Sequence, residues 1–232
     1  AALEQQWFKK ETLMFSEVVL KNVGLPLLLQ GFFMTIKLWL GAALLSGGLG
    51  ITLGVLSSDR ISGLFIRRII TLYVFVVRGI PVYVQVLMVY FVLPELLGIN
   101  FSAFTAAILA LGICSSGYVA EIVRSGFNAI GSGHWGACFV LGYTRWQAVW
   151  YVILPGVVRI IIPALANEQE SLMKSTAILS SIGLLELTRA GSNIVAQYMN
   201  PVSTYSIVAC CYLGISFTFI LLIKSLERRL AQ

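Results

Sequence analysis

Five apolar runs alternate along the chain with short polar segments, at about residues 26–56, 69–96, 101–123, 151–179 and 205–223. About 20 apolar residues carry a helix across a bilayer core, and longer runs cross with tilt. The pattern therefore predicts an all-α membrane protein of five spans. Residues 1–23 read differently. Trp7, Phe8, Leu13, Met14 and Phe15 alternate with Glu4, Lys9, Lys10, Glu11, Glu17 and Lys21. That is the pattern of an amphipathic segment lying in the interface, and a frayed tail fits the same residues. Pro81 lacks the backbone donor a helix needs, so a kink is expected in the second run. Pro155 and Pro163 should break the fourth, and a short helix should end before Asn200-Pro201. Gly50 and Gly54, with Gly47 on nearly the same side, form a small-residue face on which another helix can pack closely.

The polar segments carry an asymmetric charge. Arg60, Arg67 and Arg68 stand between the first two runs, Arg124 precedes and Arg145 lies within residues 125–150, and Lys224, Arg228 and Arg229 come after the last run. Basic residues mark the cytoplasmic side. These segments fall on one side, so the N-terminus is expected outside and the C-terminus in the cytoplasm. Residues 180–204 then form an external segment, and 24–229 the transmembrane domain. In a soluble chain the net charge of +6 would point to nucleic acid. With 58% hydrophobic and 11% charged residues, it reads as membrane orientation instead. The four cysteines have neither metal nor disulfide spacing. The first twenty residues lack the short apolar core and cleavage site of a signal peptide.

Catalytic chemistry finds little to work with. His134 is the single histidine, and no G-x-x-x-x-G-K-[ST] or G-x-S-x-G is present. No catalytic residue, metal site or bound cofactor is expected on this chain. Charge inside the spans is the stronger signal, since an Arg, Lys or Asp at a helix centre costs about 2.5–3.5 kcal/mol. Arg78, Gln85, Glu121, Arg124, Asn167, Glu170, Lys174 and Thr176 are the candidates for a translocation pathway. Glu121 and Arg124 are spaced to pair on their own helix, which is the competing reading for them. Asn167, Glu168, Glu170, Ser171, Lys174, Ser175 and Thr176 put much polarity on one apolar helix. They should face a water-lined cavity or another subunit, although a static Glu170–Lys174 pair fits too.

Several stretches together resemble a known family. G-H-W-G-A-C-F-V-L-G-Y at 133–143 looks like the cytoplasmic G-Q-x-E-A-A-x-x-L-G loop of ABC importer permeases. Ile153-Leu-Pro155, Arg159, Ile162-Pro163, Asn167, Lys174, Thr176, Ser181 and Ile182-Gly183 match the family's pattern downstream of that loop. R-G-I-P-V-Y-V-Q at 78–85 and E-I-V-R at 121–124 resemble the polar amino-acid branch, the permeases for histidine, arginine, glutamine and glutamate. The likeness implies a five-span type I (MetI-like) permease core in the bacterial inner membrane. It also implies a second permease subunit, the same or related, two cytoplasmic ATP-binding subunits that carry ATP and Mg, and an external substrate-binding protein. Gly133, His134, Trp135, Gly136, Ala137, Cys138, Phe139, Leu141, Gly142 and Tyr143 would form the short helix that couples to the ATPase. K-S-T-A at 174–177 looks like members that carry basic amino acids.

The loop departs from its pattern. Gly136 stands where the motif has Glu, Cys138 replaces its second Ala, and His134 replaces Gln. Docking would then rest on Trp135, Phe139, Leu141 and Tyr143, or on a different permease supplying the standard loop. A stand-alone ion-driven transporter or channel would explain the intramembrane charges but not this loop. A membrane-embedded enzyme lacks a credible catalytic set.

Overall fold

The computed structural model describes residues 23–59 and 61–230. The amphipathic segment expected over 1–23 lies, Val23 apart, outside them. The described residues form eight helices and no strand. These are α1 (Leu25–Leu56), α2 (Leu64–Gly79), α3 (Val82–Leu97), α4 (Ala103–Ala129), α5 (Ser132–Val140), α6 (Arg145–Ile182), α7 (Leu187–Tyr198) and α8 (Pro201–Leu230). α1, α4, α6 and α8 are each long and apolar enough to cross a membrane, and α2 with α3 makes a fifth span if the bent pair is counted as one.

The glycine face of α1 sets its closest contact. A Cβ on Gly50 would stand 2.6 Å from the Val119 Cβ, and one on Gly54 2.5 Å from the Val123 Cβ and 2.7 Å from the Ala120 carbonyl. Only a hydrogen side chain lets the two backbones meet there. Gly47 lies off this face, and a Cβ there would meet no atom within 4 Å. α4 is thereby the central helix, buried along Ala106, Ala110, Val119, Ala120 and Val123.

The second run is more than kinked. α2 and α3 meet at 99°, because Ile80 (φ −97°, ψ 131°) and Pro81 (φ −56°, ψ 136°) are both extended. A residue before proline avoids the helical region, and Pro81 cannot donate to the preceding turn. The fourth run behaves in the opposite way. The expected breaks at Pro155 and Pro163 do not occur, and α6 runs on from Arg145 to Ile182. Pro155 follows a π turn at Val149–Ile153, and Pro94 in α3 follows another at Met88–Val92. The wider π turn relieves the clash between a proline ring and the carbonyl four residues back. The last seven residues of α6, Thr176–Ile182, tighten to a 3₁₀ helix.

Between α4 and α6 the expected loop at 125–150 is largely helical. α4 continues to Ala129 and α5 begins soon after. Gly142 closes α5 in the left-handed region (φ 82°), with the Tyr143 N–H donating to the Cys138 carbonyl at 3.0 Å. A Thr144–Gln147 capping box then opens α6. Beyond α6, the buried Glu186 caps α7. Its carboxylate accepts from the Thr188 and Arg189 N–H groups at 2.7 and 2.6 Å and from the Tyr212 hydroxyl at 3.2 Å. α7 ends at Tyr198, before Asn200-Pro201, and α8 begins at Pro201 rather than Tyr205.

Candidate functional site

The polar positions of α6 form two adjacent stripes. Glu168, Ser171 and Ser175 repeat at helical spacing and face α2 and α4, whereas Asn167 and Glu170 face α8. The first stripe opens on a cavity of about 410 Å³, lined also by Arg78, Ile80, Pro81, Cys114, Ser115 and Tyr118. Arg78 comes from the last turn of α2, where a cation faces the helix's negative end. Its guanidinium lies over the Tyr118 ring, 4.9 Å from the centroid. Opposite, Ser115 donates to the Glu168 carboxylate at 2.7 Å, and Arg78 lies within electrostatic reach of it. Among the described residues, neither Arg78 nor Glu168 forms an ion pair. A carboxylate and a guanidinium thus line one cavity among apolar helices, each with hydrogen-bonding capacity to spare.

The second stripe borders a smaller cavity of about 140 Å³ with Pro163, Phe219, Lys224 and Glu227. Glu170 pairs with Lys174 at 2.6 Å along the helix. The remaining pathway candidates have local partners. Glu121 and Arg124 pair at 2.5 Å on α4, and Thr176 is fully buried and donates to the Met173 carbonyl at 2.6 Å. Gln85 is buried, with its amide on the Val77 and Ile80 carbonyls at 2.7 and 2.8 Å. It is not among the residues that line the larger cavity. Ser115 and Tyr118, which do line it, were not named from the sequence, whereas Glu168 was named among the polar positions of α6 expected to face a cavity or another subunit, though not among the pathway candidates. The signal that separates Glu168 from Asn167 and Glu170 is its spacing with Ser171 and Ser175. For Ser115 and Tyr118 it was no more than a polar patch, S-S-G-Y, on an apolar helix.

The expected coupling segment also has two sides. Trp135 and Cys138 point inward, 1% and 2% exposed. Trp135 packs with Phe127, Val149, Ile153 and Val157, tying α5 to α4 and α6. This corrects the expectation that Trp135 contributes to docking: a side chain so enclosed offers no surface. Gly133, His134, Gly136, Ala137, Phe139, Leu141, Gly142 and Tyr143 are exposed, as is Val140 at 88%. A side chain at Gly136 would meet nothing within 4 Å.

Residues 50–232 match the family described as binding-protein-dependent transport system inner membrane component. The glutamine transport system permease protein GlnP of Escherichia coli (strain K12) is 36% identical over 208 residues, covering 89% of this chain and 94% of that protein. The arginine transport system permease protein ArtQ of Bacillus subtilis (strain 168) is 35% identical over 208 residues, covering 89% and 93%. A crystal structure of an amino acid ABC transporter with histidines superposes with a TM-score of 0.80 at 36% identity, over 88% of this chain and 94% of that one.

Proposed function

Since the chain belongs to the binding-protein-dependent transport system inner membrane components, as the permease subunit of an amino acid ABC importer, we propose that its Arg78–Glu168 cavity is part of the translocation pathway. The observation that carries this reading is that a guanidinium and a carboxylate line one cavity with no ion pair to either among the described residues. Keeping each charge among apolar helices costs several kcal/mol, and a static fold would lower that cost by pairing them. An amino acid supplies the missing partners. Its carboxylate suits the fork of Arg78, its ammonium suits Glu168, and Ser171 and Ser175 offer hydroxyls to a polar side chain. With the one carboxylate used by the ammonium, the cavity favours a neutral polar side chain such as that of glutamine. The resemblance of Lys174–Ala177 to carriers of basic amino acids supports arginine as the second reading.

The exposed residues of α5 and of the turn after it, between Gly133 and Tyr143, dock on one of two cytoplasmic ATP-binding subunits, which hold ATP and Mg. A second permease subunit completes the pathway, and an external binding protein delivers the solute. The C-terminus lies in the cytoplasm with α5, and α7 lies outside.

The test is ATP-driven uptake of labelled glutamine and arginine by the complete importer in proteoliposomes. Arg78→Gln and Glu168→Gln should each lower uptake at limiting substrate at least tenfold or so, as expected for losing a hydrogen bond to a charged group. Wild-type uptake in both variants would overturn the assignment, and the preferred solute in competition decides between the two amino acids.

A further inference from the structure

The bend between α2 and α3 leaves a gap in the hydrogen bonding that one side chain closes. In an unbroken helix the Val77 carbonyl would accept from the N–H of residue 81, which is proline and has none. The extended backbone at Ile80 turns its carbonyl away from any helical donor as well. The Val77 carbonyl is buried and the Ile80 carbonyl partly so, and an unmet buried acceptor is costly. The buried Gln85 amide nitrogen donates to both, at 2.7 and 2.8 Å, and lies 3.5 Å from the Cys114 sulfur on α4. Gln85 sits one turn into α3, and its own N–H donates to the Pro81 carbonyl at 3.1 Å. One residue on α3 thus holds the end of α2, the extended linker and the wall of α4. Arg78 is the residue immediately after Val77.

We propose that Gln85 is a positioning residue for transport: its amide replaces the N–H that Pro81 lacks, fixes the α2–α3 bend, and so presents Arg78 to the cavity. The effect on uptake rests on the pathway reading above, while the effect on the bend does not.

The experiment measures both in the assembled importer. Spin labels at Leu72→Cys and Phe91→Cys, exposed positions on α2 and α3, report the bend by pulsed electron resonance in a background lacking the four native cysteines. Gln85→Leu should shift or broaden the distance distribution and raise the half-saturating substrate concentration about tenfold, the scale of a charged hydrogen bond lost from Arg78. Pro81→Ala in the Gln85→Leu background returns a backbone donor to Val77. It should recover thermal stability but neither the wild-type distance nor the affinity, because α2 is then free to run straight. A glutamine that only stabilised the fold would see all three recover together, and that result overturns the proposal. So does a Gln85→Leu protein with the wild-type distance and affinity. A changed distance with unchanged affinity overturns the link to transport if Arg78→Gln lowers affinity. If Arg78→Gln has no effect either, the pathway reading is what fails, and the distance still judges the bend. Should Gln85→Leu not assemble, the double variant carries the same three readouts.

Discussion

Replacing Trp135 should damage the fold, whereas replacing its neighbour Val140 should damage only assembly. Trp135 is 1% exposed and fills the space between Phe127, Val149 and Ile153, while Val140 is 88% exposed. A buried tryptophan hides roughly 150–250 Å². At about 25 cal/mol per Å² that is about 4–6 kcal/mol. Core Trp→Ala changes cost about 3–5 kcal/mol. On the reading that α5 projects into the cytoplasm, its alternative environment is water, so the transfer value applies. Thermal unfolding of the purified permease in nanodiscs should show Trp135→Ala lowered by an amount of the order of 10 °C, using the scaling for a chain of this size. Val140→Asp removes no packing and should stay within about 0.5 kcal/mol of wild type, yet lose its co-purifying ATPase subunit. An unchanged melting temperature in Trp135→Ala, or a destabilised Val140→Asp, would refute the division of this helix into an inner and an outer side.

Other positions give equally direct expectations. Gly54→Val places side-chain atoms where the Cβ alone lies 2.7 Å from the backbone carbonyl of Ala120. It should cost at least 1–3 kcal/mol or so, as overpacking does, while Gly47→Ala, inside the same helix with nothing within 4 Å, should not destabilise and should gain up to about 1 kcal/mol of helix propensity in the same unfolding assay. Gly136→Glu restores the family's acidic residue at a position with open space around it. It should raise helix stability by about 0.5–1 kcal/mol, and a pull-down of the ATPase subunit reads whether the charge strengthens or weakens docking. Burial pushes the Glu186 carboxyl above its ordinary range, against the hydrogen bonds from Thr188, Arg189 and Tyr212. A carboxyl raised in the folded state favours folding below its unfolded value, about 4.3, and that contribution fades as pH rises through the folded one. The melting temperature of wild type relative to Glu186→Gln should therefore fall as pH is raised from about 4 through the folded value, and a rise would contradict the assignment.

The spans were legible because twenty or so apolar residues in a row admit few other readings. Their ends were not, since a helix leaving the bilayer continues as long as its hydrogen bonds are met. α4 runs past Val123 to Ala129 in this way. Proline misled in both directions. Pro155 and Pro163 looked like breaks, but a π turn precedes the first and the helix carries the second. Pro81 looked like a kink and is a 99° corner, because Ile80 is extended too. Polar residues on α6 were found as one cluster, and three-dimensional spacing divides them. Glu168 belongs with Ser171 and Arg78, while Glu170 belongs with Lys174. Gln85 and Trp135 stand in matched motifs, yet their burial could not be read from the motifs. Gln85 is bonded to the Val77 and Ile80 carbonyls, and Trp135 is packed against Phe127, Val149 and Ile153.

The most direct test of the pathway assignment is substrate protection at Ser171. In a background without native cysteines, which also removes Cys114 from the cavity wall, Ser171→Cys in the assembled importer is treated with a small charged methanethiosulfonate reagent, and labelling rates are compared with and without saturating glutamine or arginine. The account predicts labelling through water in the cavity, slowed by the transported amino acid and not by an unrelated one. Labelling at the same rate with every amino acid, or none in any state of the transport cycle, would contradict it.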